Sequence, residues 1–196
     1  MVMGMQRPHR KVLGISLAVL VIALLPQAIA QGQTPSPVCI PGRVTPSVTE
    51  GPFYKSGSPQ RASLLEPGMA GTKLVITGQV FSKSCQPVAG AWLDFWQADA
   101  RGAYDNAGYR LRGHQFADSA GRYTLETVLP GEYPGRTPHI HVKVMAASRP
   151  VLTTQLYFST STRNQSDMLF RQELLLQIRD TATGKAGMFN FVLDVE

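Results

Sequence analysis

Two histidines separated by one residue, in the segment Pro138–Val144, are the side chains of this chain best suited to chemistry. Successive side chains of a β-strand point to opposite faces, so His139 and His141 project from one face and can bind one metal ion. An H-x-H pair taken alone is more often a pair of core or exposed histidines. Here the preceding loop also carries Tyr133 and Arg136 among prolines and glycines, which favours a metal site.

The elements that must position this pair have the pattern of short strands joined by turns. Glycine and proline are frequent and scattered, charged residues make up only 16% of the chain, and no heptad or internal repeat is present. This pattern predicts an all-β domain, an antiparallel β-sandwich with long loops carrying the candidate site and an irregular N-terminal arm. The predicted strands are 73–81, 91–97, 122–128, 138–145, 152–158 and 188–195, and a short helix is predicted over 167–176.

The first thirty residues have the three-part pattern of a secretory signal peptide. Arg7, Arg10 and Lys11 precede the uncharged apolar run 12–25, and Ala28-Ile29-Ala30 is a small-x-small cleavage site. The run is too short for a comfortable membrane span, with an uncleaved anchor as the alternative. We therefore predict an exported protein, periplasmic or secreted, without a stable membrane span after cleavage. The predicted segments are a signal peptide over 1–30, a linker over 31–44 and one domain over 45–196.

Removal of the predicted signal peptide lowers the formal charge from +6 to +3, because the first thirty residues carry three positive residues and no acidic one. This mild charge without a basic run argues against nucleic-acid binding. Export also bears on Cys39 and Cys85, the only two cysteines, since an even pair usually closes in an oxidising compartment. We predict a disulfide between them, with two unpaired thiols as the alternative.

Three motifs that follow one another along the chain resemble those of a known family. They read W-Q-A-D-x-x-G-x-Y, then D-x-x-G-R-Y, then L-P-G-x-Y-P-x-R-x-P-H-I-H. Together they resemble the intradiol ring-cleavage dioxygenases, the catechol and protocatechuate dioxygenases, and the segment Thr49–Tyr54 is similar to that family's N-terminal arm. The resemblance extends from about Thr45 to the C-terminus and implies that 45–196 is an intradiol dioxygenase-like catalytic domain.

The resemblance implies one non-haem Fe(III) ion per chain, held by two tyrosines and two histidines: Tyr104, Tyr133, His139 and His141. A free tyrosine has a pKa of about 10 and binds as phenolate only when a metal displaces its proton. Two anionic phenolate oxygens favour a trivalent ion over zinc or Fe(II). The residues matching substrate-binding positions of the family are Thr49, Pro52, Tyr54 and Gln155.

The implied reaction is cleavage of a catechol-type ring between its two hydroxylated carbons, with both atoms of O2 inserted to give a cis,cis-muconate-type diacid. Arg136 would stabilise the negative charge that develops on the ring, and Tyr133 would be the labile ligand that receives a substrate proton. Tyr109 competes with Tyr104 as a ligand from the same loop. The chain lacks a counterpart of the long helical N-terminal segment of the catechol-type dimers. The sequence therefore predicts no particular oligomeric state, and a homo-oligomer is one of the alternatives.

Two other functions remain open from the sequence. One is an exported, metal-free β-sandwich binding module, and the other is a zinc site on His139 and His141. Asp94 and Trp96 have the pattern of core residues, and His114 that of a structural or exposed one. Arg110 and Arg112 are interpreted as structural, with attraction of an anionic substrate as the alternative.

Overall fold

Nine strands make up the regular structure of the part of the chain that the computed structural model describes, namely residues 1, 3, 4, 39–147 and 149–196. The predicted signal peptide, apart from three residues, and most of the predicted linker lie outside these residues. No helix in the described ranges is long and apolar enough to cross a membrane. The strands are β1 (Lys73–Ser82), β2 (Trp92–Gln97), β3 (Arg112–Phe116), β4 (Arg122–Val128), β5 (His139–Met145), β6 (Leu152–Phe158), β7 (Leu175–Thr181), β8 (Gly184–Met188) and β9 (Phe191–Leu193).

Five of the predicted strands agree with β1, β2, β4, β5 and β6. The predicted strand 188–195 is wrong in extent, because the chain forms β8 and β9 with a break between them. The predicted helix over 167–176 is also wrong. That stretch contains the 3₁₀ turn Gln172–Leu174 and the start of β7, and a second 3₁₀ turn, Asn164–Ser166, precedes it. Strands β3 and β7 were not predicted.

The sheet runs in the order β3-β2-β5-β6-β7-β8-β1-β4, with β9 paired to β1. The predicted all-β sandwich is confirmed, but the pairing is mixed rather than purely antiparallel. Strand β7 is parallel to β6, and β8 and β9 are parallel to β1. Parallel neighbours need a long crossover connection, and the segment 159–174 with its two 3₁₀ turns supplies one between β6 and β7.

The core lies between the two halves of this sheet. Leu93 and Phe95 of β2 point inwards with Ile140, Val142 and Val144 of β5, because alternate residues share a face. They belong to one buried cluster with residues of β1 and β4, including Leu74, Ile76, Tyr123 and Leu125. The buried Gln97 side chain accepts a hydrogen bond from Thr127 Oγ1 of β4 at 2.8 Å and so links the two halves.

The opposite face of β2, β5 and β6 carries the predicted site residues. Trp96 is paired with His141, and His141 with Gln155, so these three side chains lie side by side across three strands. An N-terminal arm crosses this face, and two of its backbone bonds fix it to the sheet: Val48 N donates to Thr153 O and His114 N donates to Pro59 O. The face is therefore enclosed between sheet and arm.

Cys39 and Cys85 form a disulfide with Cα atoms 5.7 Å apart, as predicted. Cys85 lies in the turn after β1 with a positive φ of 63°. Next to the bridge, Gly42 N donates to Lys83 O at 2.8 Å. The last residues of the predicted linker are therefore fixed to the domain both covalently and by the backbone.

Candidate metal centre and active site

The two histidines of β5 form the centre of the site, and both are buried, with 2% and 1% of their surface exposed. Their Nε2 atoms face each other at 3.1 Å. His139 Nδ1 donates to Thr137 O at 2.7 Å, and this bond assigns the lone pair of His139 to Nε2. Burial lowers the pKa of His139 to about 4 and that of His141 well below its usual value. Both rings are therefore neutral at pH 7, the state in which imidazole binds a metal.

Ring stacking helps to orient the second histidine. The imidazole of His141 stacks on the indole of Trp96 with ring centroids 4.7 Å apart and an interplanar angle of 7°. Its Nδ1 is buried without a hydrogen-bond partner. On the arm, Gly51 has a φ of +72°, and a Cβ built there would lie 3.4 Å from His141 Cε1. The glycine thus lets the arm backbone pass close over the ring.

Two loops bring tyrosines to this pair, and glycine permits the loops to pack together. A Cβ at Gly102, whose φ is +85°, would lie 2.0 Å from Glu132 O, so a side chain there would separate the loop after β2 from the loop after β4. Gly131 N also donates to Asp99 O at 2.8 Å. This contact fixes the spacing of Tyr104 and Tyr133, whose ring centroids are 5.8 Å apart.

The Tyr104 hydroxyl is the most informative single atom of the site, because it is buried and has no hydrogen-bond partner. Burial raises the pKa of this phenol above its ordinary value. The ring stacks on Phe53 of the arm at 4.3 Å, and its centroid lies 6.2 Å from that of His141. An unpaired buried hydroxyl is costly, so this atom is placed for a partner other than the protein.

Tyr133 lies beside the other histidine, with its ring centroid 5.7 Å from that of His139. Its hydroxyl accepts a hydrogen bond from Arg136 Nη1 at 3.2 Å. The competing tyrosine of the sequence, Tyr109, instead donates its hydroxyl to Ser56 O at 2.8 Å and has Lys55 Nζ 4.5 Å from its ring centroid. The hydroxyl of Tyr109 is therefore already satisfied by the arm.

The structure brings Tyr104, Tyr133, His139 and His141 together as a set of two phenol oxygens and two imidazole nitrogens. In the described ranges, no group of three or more His, Cys, Asp and Glu side chains is arranged to hold a metal ion. A centre in this face would depend on the phenols, and hard anionic phenolate oxygens suit a trivalent cation such as Fe(III). The orphaned Tyr104 hydroxyl and the facing Nε2 atoms fit such an ion.

A polar network flanks the tyrosine pair. Arg136 donates from Nη2 to Gln155 Oε1 and from Nε to Asp167 Oδ2, the second at 2.9 Å. Gln155 is fully buried, and its Nε2 donates to Thr49 O at 2.9 Å, so the predicted pocket glutamine connects the arginine to the arm. Arg136, Gln155 and the backbone of Thr49 therefore form one connected edge of the site.

The other two predicted arm residues are placed differently. Tyr54 packs edge-on against Trp96, with ring centroids 4.8 Å apart, and donates its hydroxyl to Asp94 at 3.3 Å. Pro52 is exposed on the arm. The arm is also held by the ion pair between Glu50 Oε2 and Lys143 Nζ at 2.6 Å.

The sequence did not indicate two contributors to the site, the stacking of Trp96 and the ion pair of Asp167. Trp96 is buried as predicted for a core residue, yet it is the stacking partner of His141. Asp167 was assigned to a helix and instead pairs with Arg136. Arg112 is structural as interpreted, since its guanidinium donates to the carbonyl oxygens of Asp105 and Phe53.

Comparisons with known proteins show the family to which the chain belongs. The family model described as "Dioxygenase" matches residues 49–195. The protocatechuate 3,4-dioxygenase alpha chain of Pseudomonas putida is 30% identical over 176 residues, which cover 73% of this chain and 87% of that protein. The catechol 1,2-dioxygenase of Pseudomonas sp. (strain EST1001) is 27% identical over 66% of this chain and 53% of its own length. This chain thus spans about half the length of that relative.

A solved structure is more similar still. The dioxygenase domain of a dioxygenase carbohydrate-binding protein fusion from Streptomyces sp. SirexAA-E is 51% identical, with a TM-score of 0.77 over 79% of this chain and 100% of that one. The match of the family model over residues 49–195 places this all-β sandwich in the class of dioxygenases. The chain belongs to the intradiol ring-cleavage dioxygenase family, whose members use non-haem iron.

Proposed function

We propose that the protein is a non-haem Fe(III) dioxygenase that cleaves a catechol-type ring between its two hydroxylated carbons and inserts both atoms of O2. One observation carries the proposal: the buried, unpartnered Tyr104 hydroxyl lies in the same cluster as two neutral imidazoles whose Nε2 atoms are 3.1 Å apart. The relatives named catechol 1,2-dioxygenase and protocatechuate 3,4-dioxygenase support the substrate class and the reaction.

The residues that would hold the ion, one per chain, are Tyr104, Tyr133, His139 and His141. Bound there, Fe(III) would supply a strong Lewis acid that binds both oxygens of a catechol and makes the ring reactive towards O2. Each phenol would lose its proton on binding, and the two imidazoles would bind without releasing one, since burial lowers the pKa of His139 to about 4.

The protein's own part in the reaction is to bind, orient and stabilise charge. Tyr133 is the ligand proposed to accept a substrate proton, and its hydroxyl already lies 3.2 Å from Arg136 Nη1. Arg136, with 14% of its side chain exposed, is a fixed cation in a largely dry site. It stabilises negative charge that develops on the ring as the substrate loses its protons. The arm residues Thr49, Pro52 and Tyr54, with Gln155, are proposed to line the substrate pocket.

Metal and colour test the ligand set. We expect purified protein to be red-brown from phenolate-to-iron charge transfer and to contain about one iron per chain. His139→Ala and His141→Ala should lose both iron and colour. The matched control is His114→Ala, because His114 is the remaining histidine of the predicted mature chain and bonds to Ser58. A colourless protein containing zinc would contradict the proposal, as would full iron occupancy in both ligand variants.

Product analysis tests the reaction. Iron-loaded protein incubated with a panel of catechols under ¹⁸O2 should yield muconate-type diacids carrying two labelled oxygen atoms. A yellow semialdehyde would mean cleavage outside the diol and a different mechanism. Iron-loaded protein that consumes no catechol would favour the binding-module alternative.

We also propose export, with residues 1–30 removed as a signal peptide. The Cys39–Cys85 disulfide supports it, because structural disulfides persist in oxidising compartments. Intact mass of protein recovered from the periplasm or medium of an expressing bacterium should correspond to a chain that begins at Gln31. A cell-retained chain that keeps its first thirty residues would contradict this.

A further inference from the structure

A buried carboxylate, that of Asp167, lies behind the site arginine. The side chain of Asp167 is 2% exposed and follows the 3₁₀ turn Asn164–Ser166. Its Oδ2 accepts hydrogen bonds from Arg136 Nε at 2.9 Å and from Thr137 N at 3.0 Å, and its Oδ1 accepts one from Leu169 N at 2.9 Å. A charge that is buried and fully paired in this way is held in one position.

The bond from Asp167 determines where the arginine points. A guanidinium is planar, so a partner on Nε and a second on Nη2 fix the plane and direct the remaining Nη1 group. Here Nε is held by Asp167 and Nη2 by Gln155, while Nη1 is directed at the Tyr133 hydroxyl. Without the carboxylate, the guanidinium would lose its partner on Nε and keep only contacts made by its two terminal nitrogens, such as those to Gln155 and Tyr133.

The same carboxylate also holds the backbone that leads into the metal strand. Thr137 N donates to Asp167, and Thr137 O accepts the bond from His139 Nδ1. Thr137 Oγ1 donates to Asn164 Oδ1 at 2.9 Å, which joins the strand entry to the same turn. The turn from Asn164 to Leu169 therefore supports both the arginine and the first histidine.

We propose that Asp167 is a positioning residue, whose carboxylate holds the Arg136 guanidinium in the plane that directs it at Tyr133 and at the charge developing on the substrate. The inference rests on the proposed function. It makes Arg136 the intermediary through which Asp167 affects turnover.

The chain contains a matched control for the substitution that removes this charge. Asp118, in the turn before β4, accepts hydrogen bonds from Arg122 Nε at 2.8 Å and from the backbone N of Ala120 and Arg122. Its partners are thus of the same kind as those of Asp167, on an exposed turn. Asp167→Asn and Asp118→Asn can be compared directly.

Steady-state kinetics of the iron-loaded enzyme provide the first readout. Misplacement of a catalytic group by about 1 Å costs on the order of 100-fold in rate, so we expect Asp167→Asn to lower kcat about 10- to 100-fold. The Kd for catechol, from the anaerobic spectral change, should stay near the wild-type value. Asp118→Asn should match wild type in both. Asp167→Glu, which keeps the charge, should recover part of the lost rate and covers the case in which the asparagine variant folds poorly.

A double variant separates positioning from a general structural role. If Asp167 acts through Arg136, then Arg136→Ala/Asp167→Asn should turn over at the rate of Arg136→Ala alone. A structural role would lower the rate again by the same factor, and that result would overturn the inference. Full activity of Asp167→Asn would overturn it too.

An activity-independent measurement completes the test. Urea unfolding of the four proteins of this cycle should give a non-zero coupling between Arg136 and Asp167, and additive effects would contradict the contact itself. Wild-type protein that binds iron but cleaves no catechol would overturn the proposed function and the positioning role together. Active wild type with an unaffected Asp167→Asn would overturn the positioning role alone.

Discussion

Replacing Tyr104 by phenylalanine should have opposite effects on the metal-free fold and on the metal site. The Tyr104 hydroxyl is buried without a hydrogen-bond partner, and leaving such a group unpaired costs about 1–3 kcal/mol. Tyr104→Phe removes that oxygen and keeps the ring, whose stacking on Phe53 is then preserved. The metal-free variant should therefore be as stable as wild type or more stable by up to about 1–3 kcal/mol.

The same variant should lose iron and colour, because one of the two phenolate oxygens is gone. Tyr109→Phe is the matched control: its hydroxyl donates to Ser56 O at 2.8 Å, so its loss should cost about 0.5–1.5 kcal/mol and leave iron in place. Urea unfolding of metal-free protein measures the stabilities, and metal analysis with visible absorption measures the site. The reasoning is refuted if Tyr104→Phe destabilises the metal-free protein by more than about 1 kcal/mol, or if Tyr109→Phe is the variant that loses iron.

Three further outcomes follow from single contacts. Arg136→Ala should keep iron and the spectral change on catechol binding. It should turn over roughly 100- to 1000-fold more slowly, because loss of one preorganised donor raises the activation barrier by about 2.7–4 kcal/mol. An unchanged kcat in stopped-flow assays would contradict this. Reduction of the Cys39–Cys85 bridge should lower the free energy of unfolding by at most about 4 kcal/mol, measured by urea unfolding with and without reductant. Both cysteines should also resist alkylation until reductant is added. Burial raises the pKa of Asp167, but the bonds from Leu169, Arg136 and Thr137 outweigh it and lower that pKa below its ordinary value. The stabilisation by the ionised Asp167 carboxylate is present above the unfolded pKa of about 4 and is lost as pH falls through the folded pKa. The difference in the free energy of unfolding between wild type and Asp167→Asn should therefore become smaller in acid, as measured by urea unfolding at several pH values.

Strands with alternating side chains were predictable from sequence, and strands defined by tertiary contacts were not. The segment 73–81 alternates apolar and polar residues and forms β1 within one residue of its predicted end. Strand β3 instead contains Arg112, Gly113 and His114, a polar stretch without alternation. A Cβ at Gly113 would lie 2.8 Å from Leu64 Cδ2, so the strand depends on the close approach of a distant arm that no local pattern reveals.

The same distinction separates the predicted from the missed strand near the C-terminus. The apolar run from Leu174 to Leu176 has no period of two and was interpreted as part of a helix. In the structure Leu174 ends a 3₁₀ turn, and the next residues pair in parallel with Tyr157 and Phe158 of β6. That pairing is set by the crossover between the two halves of the sheet rather than by local preference.

The candidate site could be predicted only in part, because local patterns reveal neighbours in sequence but not remote contacts. His139 and His141 are two residues apart, so the geometry of one strand already placed them together. Asp167 contacts Arg136 across 31 residues of sequence, and Trp96 reaches His141 only through the pairing of β2 with β5. Residues whose role comes from a remote partner carry no local signal of it.

Arg112 is buried and Arg136 is partly buried near the tyrosines, and their hydrogen-bond partners indicate which of the two supports the fold and which is placed to act on the substrate. Arg112 directs Nε and Nη2 at Asp105 O and Nη1 at Phe53 O, so its hydrogen bonds all end on backbone carbonyls. Those bonds fix the Tyr104 loop to the arm and leave the guanidinium committed to the fold. Arg136 directs its donors at side chains, one of which is Tyr133. Since a side-chain partner can change its charge or position during a reaction while a carbonyl cannot, only Arg136 is placed to respond to the substrate.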